Sequence, residues 1–329
     1  MRLPLQEATA LAEAALIRLG HEVNDASVAA RHLIDAELRG FGYAGFGRLV
    51  SISERIKKCG YPRQKIAITK ATSVSEHIDG GDHLGLVVAM RATEIAISKA
   101  EESGVAIVGA SNTWYTGMLS YYAERTLEHD LVVMIASNGT PRVAPFGGTE
   151  RRYGTNPICF GFPSAVHPVV WDISTSALSH AAVMFDRRLD RKLGEGLAFD
   201  SEGKPTTDPT EALAGAFSAW GGHRGSGLGI VVQLLGMLAG SAMLPGDLRD
   251  FGFLIIALRP DLLTSLDEFK IKVAQYAEVI QATRPIEGGE RPRMPFDRSR
   301  AERQRRLAEG VIDIPDKIHA AVAAIAAGR

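Results

Sequence analysis

The sequence predicts an α/β protein with a helical N-terminal region. Apolar residues recur at helical spacing from Leu5 to Cys59. Short apolar runs then alternate with helical stretches through the centre of the chain, and the chain's 329 residues exceed one small core, which favours two domains.

Taken in order, Leu5–Leu19 and Ser27–Leu38 read as amphipathic helices, the second with Asn24, Asp25 or Ser27 as its cap. A stretch of glycines and aromatics, Arg39 to Leu49, separates them from a third helix at Leu49–Cys59. Lys65–Lys70 alternates like a strand, and Asp79-Gly80-Gly81-Asp82 reads as a polar turn. Leu84–Ser103 is a long helix with small residues on one face, and Val105–Val108 a buried strand. Ser111–Thr116 reads as a polar and aromatic loop, followed by a helix through Ala123 and a buried strand at Leu131–Ala136. Residues 138–160, rich in Gly, Pro, Arg and Thr, read as an ordered loop region of the kind that carries function. Val169–Ile173 is a strand running through Ser174-Thr175-Ser176 into a helix, and Asp200–Pro209 a polar loop. Trp220–Gly227 opens the most apolar helix at Leu228. Phe253–Leu258 is a strand and Leu266–Ala282 a helix, and a basic segment at 284–306 leads into a C-terminal helix.

Composition excludes several classes of function. A hydrophobic content of 46% with 23% charged residues is that of a soluble globular protein. A net charge of −1 makes no electrostatic case for nucleic acid or an anionic membrane. The apolar runs are too short and too interrupted by glycine for a membrane span. Met1 leads directly into an amphipathic helix without a signal-peptide pattern, and Cys59 and Cys159 read as free thiols, so a cytoplasmic location is expected. No His/Cys/carboxylate spacing makes a metal site, and no G-x-S-x-G elbow is present.

Residues 40–45 spell G-x-G-x-x-G, the dinucleotide fingerprint, which works only when a strand feeds the first glycine. A helix precedes it here, so the stretch reads as a glycine-rich helix-to-helix turn or a substrate-facing loop with Arg48 aimed at an anion. Three further stretches carry candidates. His223 and Arg224, among glycines before an apolar helix, form an anion site or serve tight packing. Asp172 with Ser174, Thr175 and Ser176 caps a helix or bonds a ribose or phosphate. Gly154-Thr155-Asn156-Pro157 is a turn on its face. Of the histidines, His180 and His223 stand near such stretches. The others (His21, His32, His77, His83, His129, His167 and His319) read as surface or helix-end residues.

In this order the motifs resemble the type-2 malate/L-lactate dehydrogenase family, which includes sulfolactate and ureidoglycolate dehydrogenases and the piperideine- and pyrroline-2-carboxylate reductases. The matching residues are Glu37-Leu38-Arg39-Gly40, Arg48-Leu49, Val143-Ala144-Pro145-Phe146-Gly147-Gly148, Gly154-Thr155-Asn156-Pro157-Ile158 and Asp172-Ile173-Ser174-Thr175-Ser176. Pro205-Thr206-Thr207-Asp208-Pro209, Gly221-Gly222-His223-Arg224-Gly225 and Arg293-Met294-Pro295 continue the match. The resemblance implies a non-Rossmann, mixed-sheet NAD(P)-binding fold, NAD or NADP as cofactor, a small carboxylate substrate and a homodimer. It implies cofactor contacts along Val170-Trp171-Asp172-Ile173-Ser174-Thr175-Ser176, at His223 and Arg224, and at Asp297 and Arg298 after Phe296. The expected division is residues 1–75 with 284–329 on the substrate side and 76–283 on the cofactor side. Arg48, Thr155 and Asn156 are the substrate-binding candidates, Arg48 because its planar fork suits a carboxylate.

The departures from the family pattern are informative. The family carries Ser-His-Gly, with its proton-donating histidine, where this chain has Tyr43-Ala44-Gly45; a second family histidine is Thr113 here, and the family's Pro-Gly is Pro295-Phe296. Ser179-His180 and Gly225-Ser226 look more like the imine reductases. Reducing a ketone creates an alkoxide and gains from a positioned acid by about 10²- to 10⁴-fold, whereas an iminium already carries its proton. The reading therefore leans to reduction of a 2-imino acid, with a 2-hydroxy-acid dehydrogenase as the alternative and a nucleotide- or metabolite-binding protein without turnover as a third class. Arg48, His180 and Tyr43 are the catalytic candidates, with Tyr115 a further possible proton donor.

Overall fold

The computed structural model describes residues 1–62 and 64–329. A short strand β1 (Arg2–Pro4) leads into helices α1 (Leu5–Arg18), α2 (Val23–Leu38) and α3 (Phe46–Cys59). Their apolar faces close one core, in which Ala8, Ala12, Leu16, Ala29, Leu33, Phe46 and Ile52 are fully buried. The alanines at these contacts let the helix axes approach closely. The centre of the chain follows with β2 (Ala67–Ala71), β3 (Ser75–Leu84), α4 (Gly85–Ser103), β4 (Val105–Trp114), α5 (Leu119–Leu127), β5 (Val132–Ser137), β6 (Ile158–Phe162) and β7 (Val169–Ile173). Beyond it come α6 (His180–Arg188), β8 (Ala198–Phe199), α7 (Pro209–Ala214), β9 (Ala216–Phe217), α8 (His223–Leu238), β10 (Phe251–Leu258), α9 (Leu266–Gln281), α10 (Asp297–Glu309), β11 (Val311–Asp313) and α11 (Asp316–Ala326).

Seven strands form a mixed central sheet in the order β2-β3-β4-β10-β5-β6-β7. β3 and β4 run parallel, joined by the α4 crossover, and the other pairings are antiparallel. The late strand β10 inserts between β4 and β5, so its Phe253, Ile255 and Ala257 are fully buried against α4 and α5 residues. α8 covers another part of the sheet through Val232, which packs with Ala136 and Ile158. β1 pairs with β11, and α11 joins the core of the N-terminal helices, which ties the two ends of the chain together. Among the described residues no helix is long and apolar enough to cross a membrane.

Several local expectations change. Asp79–Asp82 lies inside β3 rather than in a turn; the strand shifts register against β4 between Asp79 and His83, and such a bulge accommodates polar residues in a sheet. The segment expected as a loop after Val108 continues β4 to Trp114, because β3 and β10 pair with it on both sides. β6 begins inside the stretch 138–160 read as loop and runs on to Phe162. α2 begins at Val23, so Asn24, Asp25 and Ser27 fall in its first turns and no side chain caps it. α8 begins at His223, not Leu228, so Gly225, Ser226 and Gly227 are helical. The basic segment contains α10, where Arg300 pairs with Asp297, Arg303 with Asp35, Arg305 with Glu302 and Glu309, and Arg306 with Glu302.

Candidate active site

The turn between α2 and α3 faces the C-terminal ends of β4, β5 and β7 across a cavity of about 420 Å³. Tyr43, Ala44 and Arg48 come from the turn and α3, Tyr115 from the end of β4, Asn138 and Arg142 from beyond β5. Thr155 and Asn156 precede β6, Asp172 and Ser174 close β7, His180 opens α6, and Phe296 and Arg298 stand at the start of α10. Open sheets place ligands at such strand ends.

Helix α2, not a strand, enters the glycine-rich turn, and the glycines serve packing. A Cβ on Gly45 would lie 2.5 Å from Glu37 Cγ, and one on Gly47 2.6 Å from the Phe185 ring. The buried Glu37 carboxylate accepts the Phe46 N–H at 2.6 Å and so holds the start of α3. Burial pushes its pKa up to about 7.

α3 then directs Arg48 into the cavity. Its Nε and Nη1 are sealed from solvent and meet no acceptor among the described residues, while Cζ lies 3.9 Å from the centre of the Tyr115 ring. Burial pulls the Arg48 pKa down. A guanidinium held this way is costly until an anion arrives. His180 stacks on the other side of the site, its ring 6.5 Å from that of Tyr115. The Ser179 hydroxyl accepts the Ala182 N–H at 3.1 Å and orients the first turn of α6. Burial, reinforced by the charges of Arg142, Arg48 and Arg188, holds the His180 pKa well below the usual histidine range, so its imidazole is neutral. Burial raises the pKa of both phenols, Tyr43 and Tyr115.

Tyr115, Asn156, Leu248 and Phe296 all line the cavity and all hold positive φ, at 53, 39, 54 and 74°. Strained backbone of this kind collects where the surrounding structure fixes a functional geometry.

The candidates named from sequence separate into two sets. Arg48, Tyr43, His180, Thr155, Asn156, Asp172, Ser174 and Arg298 meet at the cavity. Val170 is buried in the sheet core, Ile173 and Thr175 lie behind the wall, and Trp171 is exposed and stacked on Phe160 at 6.3 Å. The junction hydroxyls bond backbone: Ser174 donates to Thr155 O at 2.9 Å, Thr175 to Asn156 O at 3.1 Å, and Ser176 accepts the Leu178 N–H. Asp172 accepts the Ser120 N–H at 2.8 Å, anchoring α5, and burial raises its pKa. His223 and Arg224 are exposed at the start of α8, outside the cavity wall. Asp297 accepts from the Met294 N–H and from Arg300, fixing the start of α10.

Two histidines read as surface or helix-end residues are buried instead, because they lie on inward faces. His32 accepts the Met118 N–H at 3.0 Å and burial lowers its pKa to about 3; His21 falls to about 4 for the same reason. Sequence reasoning missed Arg142 and the buried Glu37. The Arg-rich composition of residues 138–160 was the available signal for Arg142.

The wall fits a nicotinamide. Asn156 donates to Gly229 O and to Gln233 Oε1, but its Oδ1 is buried without a donor among the described residues. A carboxamide NH₂ is the kind of group that satisfies such an acceptor.

The family described as malate/L-lactate dehydrogenase matches residues 3–323. The chain is 34% identical to the L-sulfolactate dehydrogenase of Methanocaldococcus jannaschii over 84% of this chain and 83% of that one. It is 32% identical to the (2R)-3-sulfolactate dehydrogenase (NADP(+)) of Chromohalobacter salexigens, over 94% and 95%. It is 29% identical to the ureidoglycolate dehydrogenase (NAD(+)) of Escherichia coli K12, over 94% and 91%. The solved sulfolactate dehydrogenase from Methanocaldococcus jannaschii aligns with a TM-score of 0.87 at 29% identity, over 100% of this chain and 97% of that one. The delta1-piperideine-2-carboxylate reductase from Pseudomonas syringae aligns with a TM-score of 0.83 at 26% identity, over 99% of each. The mixed seven-stranded sheet, the cavity at its strand ends and this match along nearly the whole length place the chain in the malate/L-lactate dehydrogenase family of oxidoreductases.

Proposed function

We propose that the protein is an NAD(P)-dependent dehydrogenase that interconverts a small 2-oxo carboxylate and its 2-hydroxy acid. The observation that carries this reading is Arg48, which lines the cavity while two of its guanidinium nitrogens, Nε and Nη1, are buried without an acceptor among the described residues. Its planar fork binds the substrate carboxylate through two parallel hydrogen bonds, which the compact ammonium of a lysine does not reproduce. Ser174 and Arg298 would hold the cofactor, joined on this reading by Thr155 and Asn156, which the sequence offered as substrate-binding residues. A nicotinamide bound there would supply or accept the hydride. On this reading residues 1–75 with 284–329 furnish the substrate side and residues 76–283 the cofactor side.

Ala44 lines the cavity and offers no proton. The neutral His180 imidazole and the protonated Tyr115 phenol donate hydrogen bonds to the carbonyl oxygen, and one of these two groups gives it the proton that turns the alkoxide left by hydride transfer into the hydroxyl. Charge that develops on that oxygen is stabilised by the nearby Arg48, in a site where burial strengthens each interaction.

The cations near His180 weigh against the imine reading. An iminium brings a positive charge among Arg48, Arg142 and Arg188, each of which already depresses the His180 pKa. Ser226, one of the residues that favoured imine chemistry, accepts the Phe146 N–H at 3.0 Å at the start of α8 and does not line the cavity. Imine reduction keeps a second place because Ala44 removes the acid a ketone would use, and because of the likeness to the piperideine-2-carboxylate reductase. A turnover panel with NADH and NADPH decides between them. Pyruvate and oxaloacetate are expected to be reduced faster than Δ1-piperideine-2-carboxylate, and the opposite order removes the oxo-acid assignment. Nicotinamide fluorescence that changes on mixing, with no turnover of any substrate, selects a binding protein instead.

A homodimer is part of this reading. Ile230, Val231, Leu234 and Leu238 form an exposed apolar stripe on α8, and Leu238 is 73% accessible. Light scattering is expected to give twice the chain mass, and Leu234→Glu to shift it toward the monomer; a monomeric wild-type protein rejects the dimer.

A further inference from the structure

We propose that Arg142 is the specificity-determining residue of this cavity and holds a second carboxylate at the far end of the substrate. The inference rests on the carboxylate-binding role of Arg48 and extends it.

Arg142 lines the same cavity as Arg48 but comes from a different part of the chain, the segment after β5. Its side chain is 15% exposed, and its one ionic partner among the described residues is Asp247, at 2.9 Å. That carboxylate is half exposed and also takes Lys58 at 3.0 Å, so one anion serves two cations. The other arginines packed near the site are differently placed. Arg39 has Asp35 and Glu124, and Arg188 has Glu54, Ser51 Oγ and the Gly47 carbonyl. Burial lowers the pKa of Arg142, with Asp247 opposing it, in the same direction as for Arg48.

The segment is held in place. The Thr140 hydroxyl donates to Gly246 O at 2.9 Å and accepts the Leu248 N–H at 2.9 Å. Arg142 and the loop bearing Asp247 are therefore one wall, and the arginine is aimed before any ligand arrives. Arg142 and Arg48 are both near enough to the Tyr115–His180 pair for their charges to bear on it. One carboxylate satisfies Arg48 and leaves Arg142 with only its shared, solvent-facing partner. A second carboxylate on the same substrate completes it, in competition with Asp247. A substrate whose far end is apolar would instead leave a guanidinium against hydrocarbon, which selects against it.

The test compares oxaloacetate with 4-methyl-2-oxopentanoate, in which an isopropyl group of similar shape replaces the second carboxylate. Wild-type protein is expected to prefer oxaloacetate in kcat/KM, and Arg142→Leu to reduce that preference at least about tenfold. Absence of a preference in the wild type, or a preference that survives in Arg142→Leu, overturns the proposal. Should Arg142→Leu fail to fold, Asp247→Asn removes the competitor without touching the cavity arginine. It is expected to lower KM for oxaloacetate and not for the apolar analogue; a KM for oxaloacetate that stays or rises also overturns the proposal. Arg48→Met separates the two levels of the reading. If it leaves KM for both acids unchanged, the carboxylate site itself is wrong; if it raises both while Arg142→Leu alters both alike, only the second subsite is wrong.

Discussion

An Arg48→Met protein is expected to lose at least about 30-fold in kcat/KM toward any 2-oxo carboxylate while its ligand-free fold becomes more stable. The first effect follows from removing one partner of a desolvated charge pair, which typically costs about 2–5 kcal/mol, at about 1.4 kcal/mol for each tenfold. The second follows from what the guanidinium does when no substrate is present. Arg48 Nε and Nη1 are buried with no acceptor among the described residues, and each such donor costs on the order of 1–3 kcal/mol. Methionine fills the same volume without that penalty and retains contact with the Tyr115 ring. Opposite signs for stability and activity mark a residue kept for its ligand. Steady-state kinetics and a thermal melt check both parts. A variant with unchanged kcat/KM removes the role; one that loses activity and melts lower makes Arg48 a structural residue.

Arg39→Met is expected to act in the other direction, destabilising the fold by about 3–5 kcal/mol, because breaking a buried ion pair leaves charge uncompensated. The Arg39 side chain is fully buried; its Nε donates to Asp35 Oδ2 at 2.5 Å and its Nη2 pairs with Glu124. Asp35 also receives Arg303 from α10 at 2.5 Å, and the Arg39 guanidinium lies 4.9 Å from the Phe296 ring. The network therefore binds α2, α5 and α10 together behind the cavity. Burial already raises the Glu124 pKa, and Arg39 opposes that rise. Without the arginine the folded-state pKa of Glu124 climbs further above its unfolded value. Stability is then lost as pH rises through that folded pKa, so the deficit is larger at pH 8 than at pH 5. Urea titrations at the two pH values measure it. A loss below about 1 kcal/mol, or a deficit that grows toward acid, contradicts this account.

Much of the fold was legible because its signals are local. The spacing of Ala8, Ala12 and Leu16, or of Ala29 and Leu33, marks a helical face whatever that face packs against. Val169–Ile173 reads as a strand from its β-branched run and is one. The failures share a cause, which is that partners distant in sequence overrode local preference. Asp79-Gly80-Gly81-Asp82 has turn composition but is held in β3 by its pairing with β4. His32 reads as polar, yet it is buried because Met118, 86 residues away, supplies the N–H that its Nε2 accepts.

The site divides the same way. The order of motifs along the chain identified the family and drew attention to Arg48 and His180, since both depend only on residue type and sequence position. Tertiary structure decided which of the named residues share a space. It left His223 and Arg224 outside the cavity, put Asp172 to work as the anchor of α5, and brought in Arg142, which immediately precedes the Val143–Gly148 motif but is not part of it. It also decided the charge of the site. The neutrality of His180 and the unmet guanidinium of Arg48 arise from burial and from cations on separate elements, quantities that no spacing along the chain contains.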